Sequence, residues 1–400
     1  MKLSENELKS LKEEISTPYV IYDEEAIISN YKELQNALGK DKIILYSVKA
    51  NPNPFILKVL DKCGLMFETA SIGEIKLLLR NGINTSKIIY SGQAKLESQI
   101  EEAIFCGIKL YNLESVEEVK RLTYFADELK KDVKYMCRIN PNMSVNNAVL
   151  KMGSTPSAFG ISENEIETVI NIDKKCKYSH FEGLFMYNGS QYYEAKDIVE
   201  NCLYLQNLSK KIENKYKIQF SMIDYGGGFG VVENEHQHQL NLKELKKLVE
   251  LKLIPQYVTS FFESGRYIVN SAGTLVTSVV DIKTSRGKKI VILDTGINHL
   301  GVRQYCYRLY DTFINCNYND REECYQIFVG PTCTTIDNVH SEIKFRNLKI
   351  GDIIQIPYAG AYLLSYSPLF FCGRSIPKEV MIYKNGDMKI NQICSDEIYT

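Results

Sequence analysis

The chain has 400 residues, 44% of them hydrophobic and 24% charged, with a formal net charge of −1. That is globular composition, with length for two domains or for a barrel plus a smaller domain. It leaves no basic footprint for nucleic acid or an anionic membrane surface, and no apolar run approaches the roughly 20 residues of a membrane helix.

Taken in chain order, the first 17 residues read as a helix leading into a strand at 18–22. Asp23 then stands as an N-cap, with Glu24 and Glu25 in the first helical turn, where carboxylates complement the helix dipole. The helix over 24–38 carries Ile27, Ile28, Tyr31, Leu34 and Leu38 at helical spacing. From residue 43 a rhythm sets in. Short apolar runs at 43–48, 65–69, 88–91, 109–113, 133–139, 181–187, 222–225 and 259–263 alternate with amphipathic segments such as 71–80, 96–106, 115–130 and 197–216. Eight such units predict an α/β fold with a parallel (β/α)8 barrel; an open doubly wound sheet is the alternative. The C-terminal strand ends of a barrel form its site. Here they carry Lys49, Glu68, Ser91, Glu114, Arg138, Tyr187, Gly226 to Gly228 and Glu263.

Past residue 273 the rhythm changes. Strands are predicted at 274–283, 289–294, 325–328, 353–358 and 379–383, without regular intervening helices. Arg286-Gly287, Gly351-Asp352 and Asn385-Gly386 punctuate them as turns. The expected division is a barrel over 24–272 and a mostly antiparallel β domain over 273–400, to which residues 1–23 add.

Residues 1–14 are polar and charged, unlike a secretory signal, and the 11 cysteines form no C-x-x-C pair. Free thiols in a reducing cytoplasm are expected. Glu235-His236-Gln237-His238 has metal-ligand residue types but no partner ligands nearby in sequence, and reads as a solvated loop; no metal is expected.

Several stretches can carry chemistry. Tyr46-Ser47-Val48-Lys49-Ala50-Asn51 puts a lysine at the last position of the first strand. A four-carbon amine on rigid backbone can form a Schiff base when its surroundings suppress its charge; a solvated strand-end lysine is the plain alternative. Asp224-Tyr225-Gly226-Gly227-Gly228-Phe229-Gly230 follows the seventh run. Consecutive glycines let backbone amides approach an anion, as in a phosphate nest. The loop lacks the Lys-Ser/Thr of a P-loop, and a flexible turn is the alternative. Glu263-Ser264-Gly265-Arg266 follows the eighth run. A carboxylate there can keep a ring nitrogen protonated, because an adjacent negative charge raises a cation's pKa. Arg266 can clamp phosphate or carboxylate, or the two can be a surface pair. Gly330-Pro331-Thr332-Cys333 sets a thiol after a Gly-Pro turn, where it can donate and recover a proton; a buried, inert cysteine is the usual case. Gly360-Ala361-Tyr362 can bring a phenol to an anion, or supply one core tyrosine among 27. A lysine imine, a phosphate nest and a carboxylate under a ring nitrogen together ask for pyridoxal 5'-phosphate.

At this point the chain resembles the fold-type III pyridoxal-phosphate decarboxylases, the group of diaminopimelate and ornithine decarboxylases. The likeness rests on Tyr-Ser-Val-Lys-Ala-Asn at 46–51, Glu-Thr-Ala-Ser-Ile-Gly-Glu at 68–74, Arg-Ile-Asn-Pro at 138–141, Gly-Ser-Gln at 189–191, the glycines at 226–228, Glu-Ser-Gly-Arg at 263–266, Gly-Pro-Thr-Cys at 330–333 and Gly-Ala-Tyr at 360–362. It implies an alanine-racemase-like barrel plus a β domain, with Lys49 as the imine lysine and Glu263 as the partner of the pyridine nitrogen. Ser190, Gly226, Gly227, Gly228, Gly265, Arg266 and Tyr362 would surround the phosphate. Tyr187 replaces the family's stacking histidine and can still stack on the ring. Cys333 would protonate the substrate carbon after carbon dioxide leaves. In the family the matching cysteine comes from the partner subunit, which implies a homodimer with shared active sites.

The departures concern substrate. Thr334 stands where diaminopimelate decarboxylases have an acidic residue, Ala158 replaces a lysine, and Arg303 matches the substrate arginine only with a one-residue shift from Gly296-Ile297-Asn298-His299-Leu300. The likeness is nearer to the branch that decarboxylates a glutamyl group carried on an acyl carrier protein in butirosin biosynthesis. A conjugated or carrier-bound amino acid is therefore expected, with an acyl carrier protein as partner. Free diaminopimelate is the alternative, and so is a racemase on the same barrel, which would want a second base. A non-catalytic cofactor binder would have no use for Cys333.

Overall fold

A computed structural model describes residues 11, 15–142, 150–151, 156–233, 237–253, 258–301 and 314–392. The chain divides into two compact units. One comprises Asn30–Val231 and Gln239–Tyr267; the other comprises Met1–Ser29, Val232–His238 and Ile268–Thr400.

The first unit is the eight-stranded parallel barrel that the β/α rhythm predicts. Its strands are Ile43–Ser47, Met66–Thr69, Ile88–Tyr90, Leu110–Leu113, Val133–Asn140, Ser179–Phe185, Met222–Asp224 and Thr259–Glu263. Each pairs in parallel with its neighbours, and the eighth closes on the first through Phe261 opposite Ile43. Leu45, Met66, Ile89, Leu110, Met136, Phe185, Met222 and Phe261, one from each strand, pack together inside it. Each such side chain removed from water stabilises the fold by about 1.5–3 kcal/mol.

Helices begin within a few residues of the strand ends because polar caps start them. Asn53 accepts from Phe55 N at 2.8 Å ahead of Pro54–Lys62. Ser71 accepts from Glu74 N at 3.2 Å ahead of Ile72–Arg80. Ser115 accepts from Glu118 N at 3.1 Å ahead of Val116–Leu129. Each hydroxyl or amide oxygen satisfies one of the N–H groups a helix start leaves open. One expectation shifts: Lys49 does not end the first strand but sits in the one-turn 3₁₀ helix Val48–Ala50 beyond it.

The second unit is a mostly antiparallel eight-stranded sheet. Tyr19–Asp23 lies in its middle, antiparallel to Gly273–Ser285 and parallel to Lys378–Ile382. Leu11, Ile15, Tyr19, Ile21, Val276 and Val380 form its buried cluster. Asp23 caps the helix Glu24–Leu38 by accepting from Ala26 N at 3.2 Å. The sheet also contains Asn338–Arg346 and Met388–Asn391, which no sequence signal flagged. The former pairs with Glu323–Val329 across irregular register at Gln326/Phe328 and Phe328/Val329, and such bulges break the alternation that reveals a strand.

Among the described residues no helix is long and apolar enough to cross a membrane, no disulfide joins two cysteines, and no group of three His, Cys, Asp or Glu could hold a metal ion. His236 lies outside the described residues.

Candidate active site

Side chains two apart on a strand share a face. Two residues beyond the apolar layer, the same face therefore carries Ser47, Glu68, Ser91, Asn112, Arg138, Tyr187, Asp224 and Glu263. A polar layer caps the barrel's apolar filling at its C-terminal end. Lys49 stands two residues beyond Ser47, on the 3₁₀ turn that follows the strand.

Lys49 Nζ donates to Glu68 Oε2 at 2.7 Å; the lysine side chain is 44% exposed and the glutamate 2%. A partly open amine thus sits on a buried carboxylate. Gly265 supports the lysine's turn from below, since a Cβ there would strike Ala50 Cβ. Across the layer, Asn112 Nδ2 donates to Ser91 Oγ at 3.0 Å and to Asp224 Oδ2 at 3.3 Å. The other Asp224 oxygen accepts from Gly226 N at 2.9 Å. Lys95, fully buried, donates to the Asn112 carbonyl at 2.8 Å and to Glu118 Oε2 at 3.0 Å, holding Asn112 from behind. Arg138 donates from Nη1 to Glu114 Oε1 at 2.8 Å and from Nη2 to the Tyr187 carbonyl at 3.1 Å. Its guanidinium faces Phe159 at 4.6 Å and Tyr187 at 5.8 Å. Glu114 also accepts from Gly160 N at 2.8 Å, so one carboxylate fixes both the arginine and the Phe159 backbone.

Glu68, Asp224 and Glu263 make this a site of crowded negative charge. Burial, then the charges of Glu68 and Asp224, hold the Glu263 carboxyl well above the usual carboxylate range, against Lys49 and Arg138. Asp224 is pushed up to about 7 by burial, with the Gly226 N–H and the Asn112 amide pulling it back. Glu74, whose carboxylate accepts from Ala70 N at 2.6 Å, is likewise raised to about 7 by burial. Such perturbed groups gathered in one place mark functional sites.

Three features test what this site can hold. Glu263 Oε1 is buried and has no hydrogen-bond partner, which costs free energy until a donor arrives. Gly226 and Gly228 have φ of +66° and +90°, and a Cβ at Gly226, Gly227 or Gly228 would collide with the carbonyls of Met186, Glu263 and Gly189 respectively. Close backbone packing accounts for the glycines, and it leaves the N–H groups of Gly227 and Gly228 without a protein acceptor among the described residues. The third feature is the Lys49 amine, partly exposed and paired with Glu68. The set fits a group with an anion, an amine-reactive carbonyl and a protonatable ring nitrogen.

The barrel unit also contains Ser190, in a two-residue strand paired with Leu150–Lys151, and Arg266, at the start of a short helix directly after the eighth strand. Cys333, Thr334 and Tyr362 belong to the second unit. Cys333 is exposed, and Tyr362 has a left-handed φ of +54°. Arg303 lies outside the described residues. Sequence reasoning gave no role to Asn112, and named Asp224 only as the residue that opens the glycine stretch. The signal was present in the two-residue step from Leu110 and Met222, but Asp224 closes a strand of three residues, too short for alternation to register.

The chain matches the family model described as pyridoxal-dependent decarboxylase, pyridoxal binding domain, over residues 24–270. It is 30% identical to the L-glutamyl-[BtrI acyl-carrier protein] decarboxylase of Niallia circulans, over 98% of this chain and 94% of that protein. It is also 30% identical to the diaminopimelate decarboxylase of Bacteroides thetaiotaomicron, over 91% and 95%. The structure superposes on the diaminopimelate decarboxylase of Helicobacter pylori complexed with L-lysine, with a TM-score of 0.89, 26% identity and 98% of both chains covered. A binding-domain match across more than half the chain, and a relative alike along nearly all of it, establish that this protein belongs to the pyridoxal-dependent decarboxylases and is a pyridoxal-phosphate-dependent amino-acid carboxy-lyase.

Proposed function

We propose that the protein removes the α-carboxylate of an amino acid held in a conjugate, of the glutamyl–acyl-carrier-protein type. The observation that carries this reading is Thr334 beside Cys333. Its hydroxyl accepts from Ile336 N at 3.4 Å, turned back onto its own loop. A neutral, locally engaged side chain offers no charge to the free distal ammonium of diaminopimelate, whereas a conjugated amino acid presents none. Similarity to the glutamyl-carrier enzyme along nearly the whole chain supports the reading.

In it, Lys49 would hold the cofactor covalently through Nζ. Gly226 to Gly228, Ser190, Gly265, Arg266 and Tyr362 would surround its phosphate, and Tyr187 would lie on the ring. When bound, the cofactor supplies a protonated ring that takes up the electron pair left as carbon dioxide departs. Glu263 accepts the ring N–H, and its negative charge keeps the proton there. Glu68 receives the Lys49 ammonium whenever that amine is free. Glu114 and Arg138 fix Tyr187 through its carbonyl. Arg303 binds the substrate. Cys333 of a second subunit gives its proton to the α-carbon, so that each turnover releases one carbon dioxide and consumes one proton. The working unit is a homodimer with shared sites, in the cytoplasm, with an acyl carrier protein as its other partner.

Free diaminopimelate is the second reading, favoured by the equal identity to a diaminopimelate decarboxylase. Incubating the holoenzyme with diaminopimelate, lysine, ornithine, glutamate and a glutamyl-carrier thioester, and measuring carbon dioxide, separates the two. The thioester is expected to be turned over fastest. Rapid turnover of diaminopimelate alone overturns the proposal. Lys49→Ala should abolish the visible absorbance of the lysine-bound cofactor; an unchanged spectrum assigns the linkage elsewhere.

A further inference from the structure

Asp337 is 4% exposed and lies four residues beyond Cys333. Its Oδ1 accepts from Ile297 N at 2.6 Å. Its Oδ2 accepts from Thr332 N at 2.7 Å and from the Thr332 hydroxyl. Its own carbonyl accepts from Gly330 N at 2.9 Å, closing the 330–337 loop on itself. A Cβ at either Gly296 or Gly330 would strike its carboxylate, so both glycines are there to let it in. One buried carboxylate thus joins the loop that carries Cys333 to the short helix Ile297–Leu300. Charge-assisted bonds to backbone N–H groups are the strong ones, and they fix backbone rather than side chain.

We propose that Asp337 is a positioning residue that locks the Cys333 loop onto the 297–300 helix, so that the loop carrying the proton donor is held in one place. This rests on the proposed role of Cys333. A donor displaced by about 1 Å can cost on the order of a hundredfold in rate, which gives such a lock its worth.

The test compares wild type, Asp337→Asn and Thr332→Val as holoenzymes. Asparagine keeps an acceptor for Ile297 but turns an amide towards Thr332 N; valine removes only the hydroxyl contact. Iodoacetamide labelling of Cys333 between about pH 6 and pH 9 is read by peptide mass, with exposed Cys372 as the internal reference. In Asp337→Asn the Cys333 labelling rate should change at least about threefold while Cys372 labels as before. On the panel substrate the wild type accepts, Asp337→Asn should lower kcat by about tenfold or more and Thr332→Val by less, each with KM little changed. A folded Asp337→Asn with wild-type labelling and kinetics overturns the proposal. If that variant does not fold, unchanged Cys333 labelling in Thr332→Val overturns it. A wild type inactive on every panel substrate sinks the decarboxylase substrate reading instead, and the labelling still decides the role of Asp337.

Discussion

Three carboxyl groups within one barrel mouth cannot all ionise without a cation to share. Lys49 supplies it in the free enzyme, and in the proposed holoenzyme a protonated ring nitrogen would supply it. Glu263→Gln keeps shape and burial but would remove the charge proposed to hold the ring proton. The variant should fold and bind cofactor, and its kcat should fall by roughly a hundredfold or more, measured as carbon dioxide release. Asp224 makes a second prediction, with a definite sign. Its folded-state pKa is raised from 3.8 to about 7, so the folded chain retains a proton that the unfolded chain has lost. Asp224 thus stabilises the fold fully below its unfolded pKa, and that contribution is lost as pH rises through about 7. Melting of the apoenzyme across this window should show a steeper loss of stability in wild type than in Asp224→Asn; equal slopes would count against a protonated Asp224. Lys49 and Glu263 stand out in the sequence because each belongs to a distinctive motif beside a strand end, 46–51 and 263–266. Asn112 and Asp224 do not, because their meaning lies in facing each other across the barrel, 112 positions apart in sequence.

Helix starts link the barrel's elements to its site. Ser115 begins Val116–Leu129, and that helix carries Glu118, whose carboxylate meets buried Lys95 and accepts the backbone N–H groups of Lys95 and Glu114. Ser115→Ala should cost about 1 kcal/mol, the usual worth of an N-cap. Glu118→Ala should cost more, about 3–5 kcal/mol, because it strands a buried ammonium. Thermal or urea unfolding of the two variants checks the order. Lys95 also holds Asn112, so Glu118→Ala should lower activity at temperatures where it is still folded, and Ser115→Ala should not. At this scale the barrel was readable because apolar runs and amphipathic helices alternate strictly, and polar caps such as Ser71 and Ser115 mark the junctions. The Asn338–Arg346 strand was not. Its exposed Ser341 and Glu342 and its bulged pairing hide the period that a sequence shows.

The molecule as a whole raises a question that neither residue nor element answers. Lys49 and Glu263 belong to one compact unit and Cys333 to the other. The proposed homodimer assigns the Cys333 of each subunit to the Lys49 of its partner, a matter that one copy of a sequence leaves open because hydrophobic period and motif spacing describe a single chain. Subunit complementation resolves it. Lys49→Ala would lack the proposed cofactor link and Cys333→Ala the proposed proton donor, so each homodimer should be nearly inactive. Co-expressed in equal amounts, the two chains pair at random and half the dimers are mixed. In a mixed dimer with shared sites, one site combines the intact Lys49 of one chain with the intact Cys333 of the other, and the second site lacks both. The mixture should therefore recover about one quarter of wild-type activity. If each chain used its own Cys333, every site in the mixture would lack one residue, and activity would stay at the level of the separate variants. Carbon dioxide release from the co-expressed mixture, set against the two variants alone, distinguishes these outcomes without any knowledge of the interface.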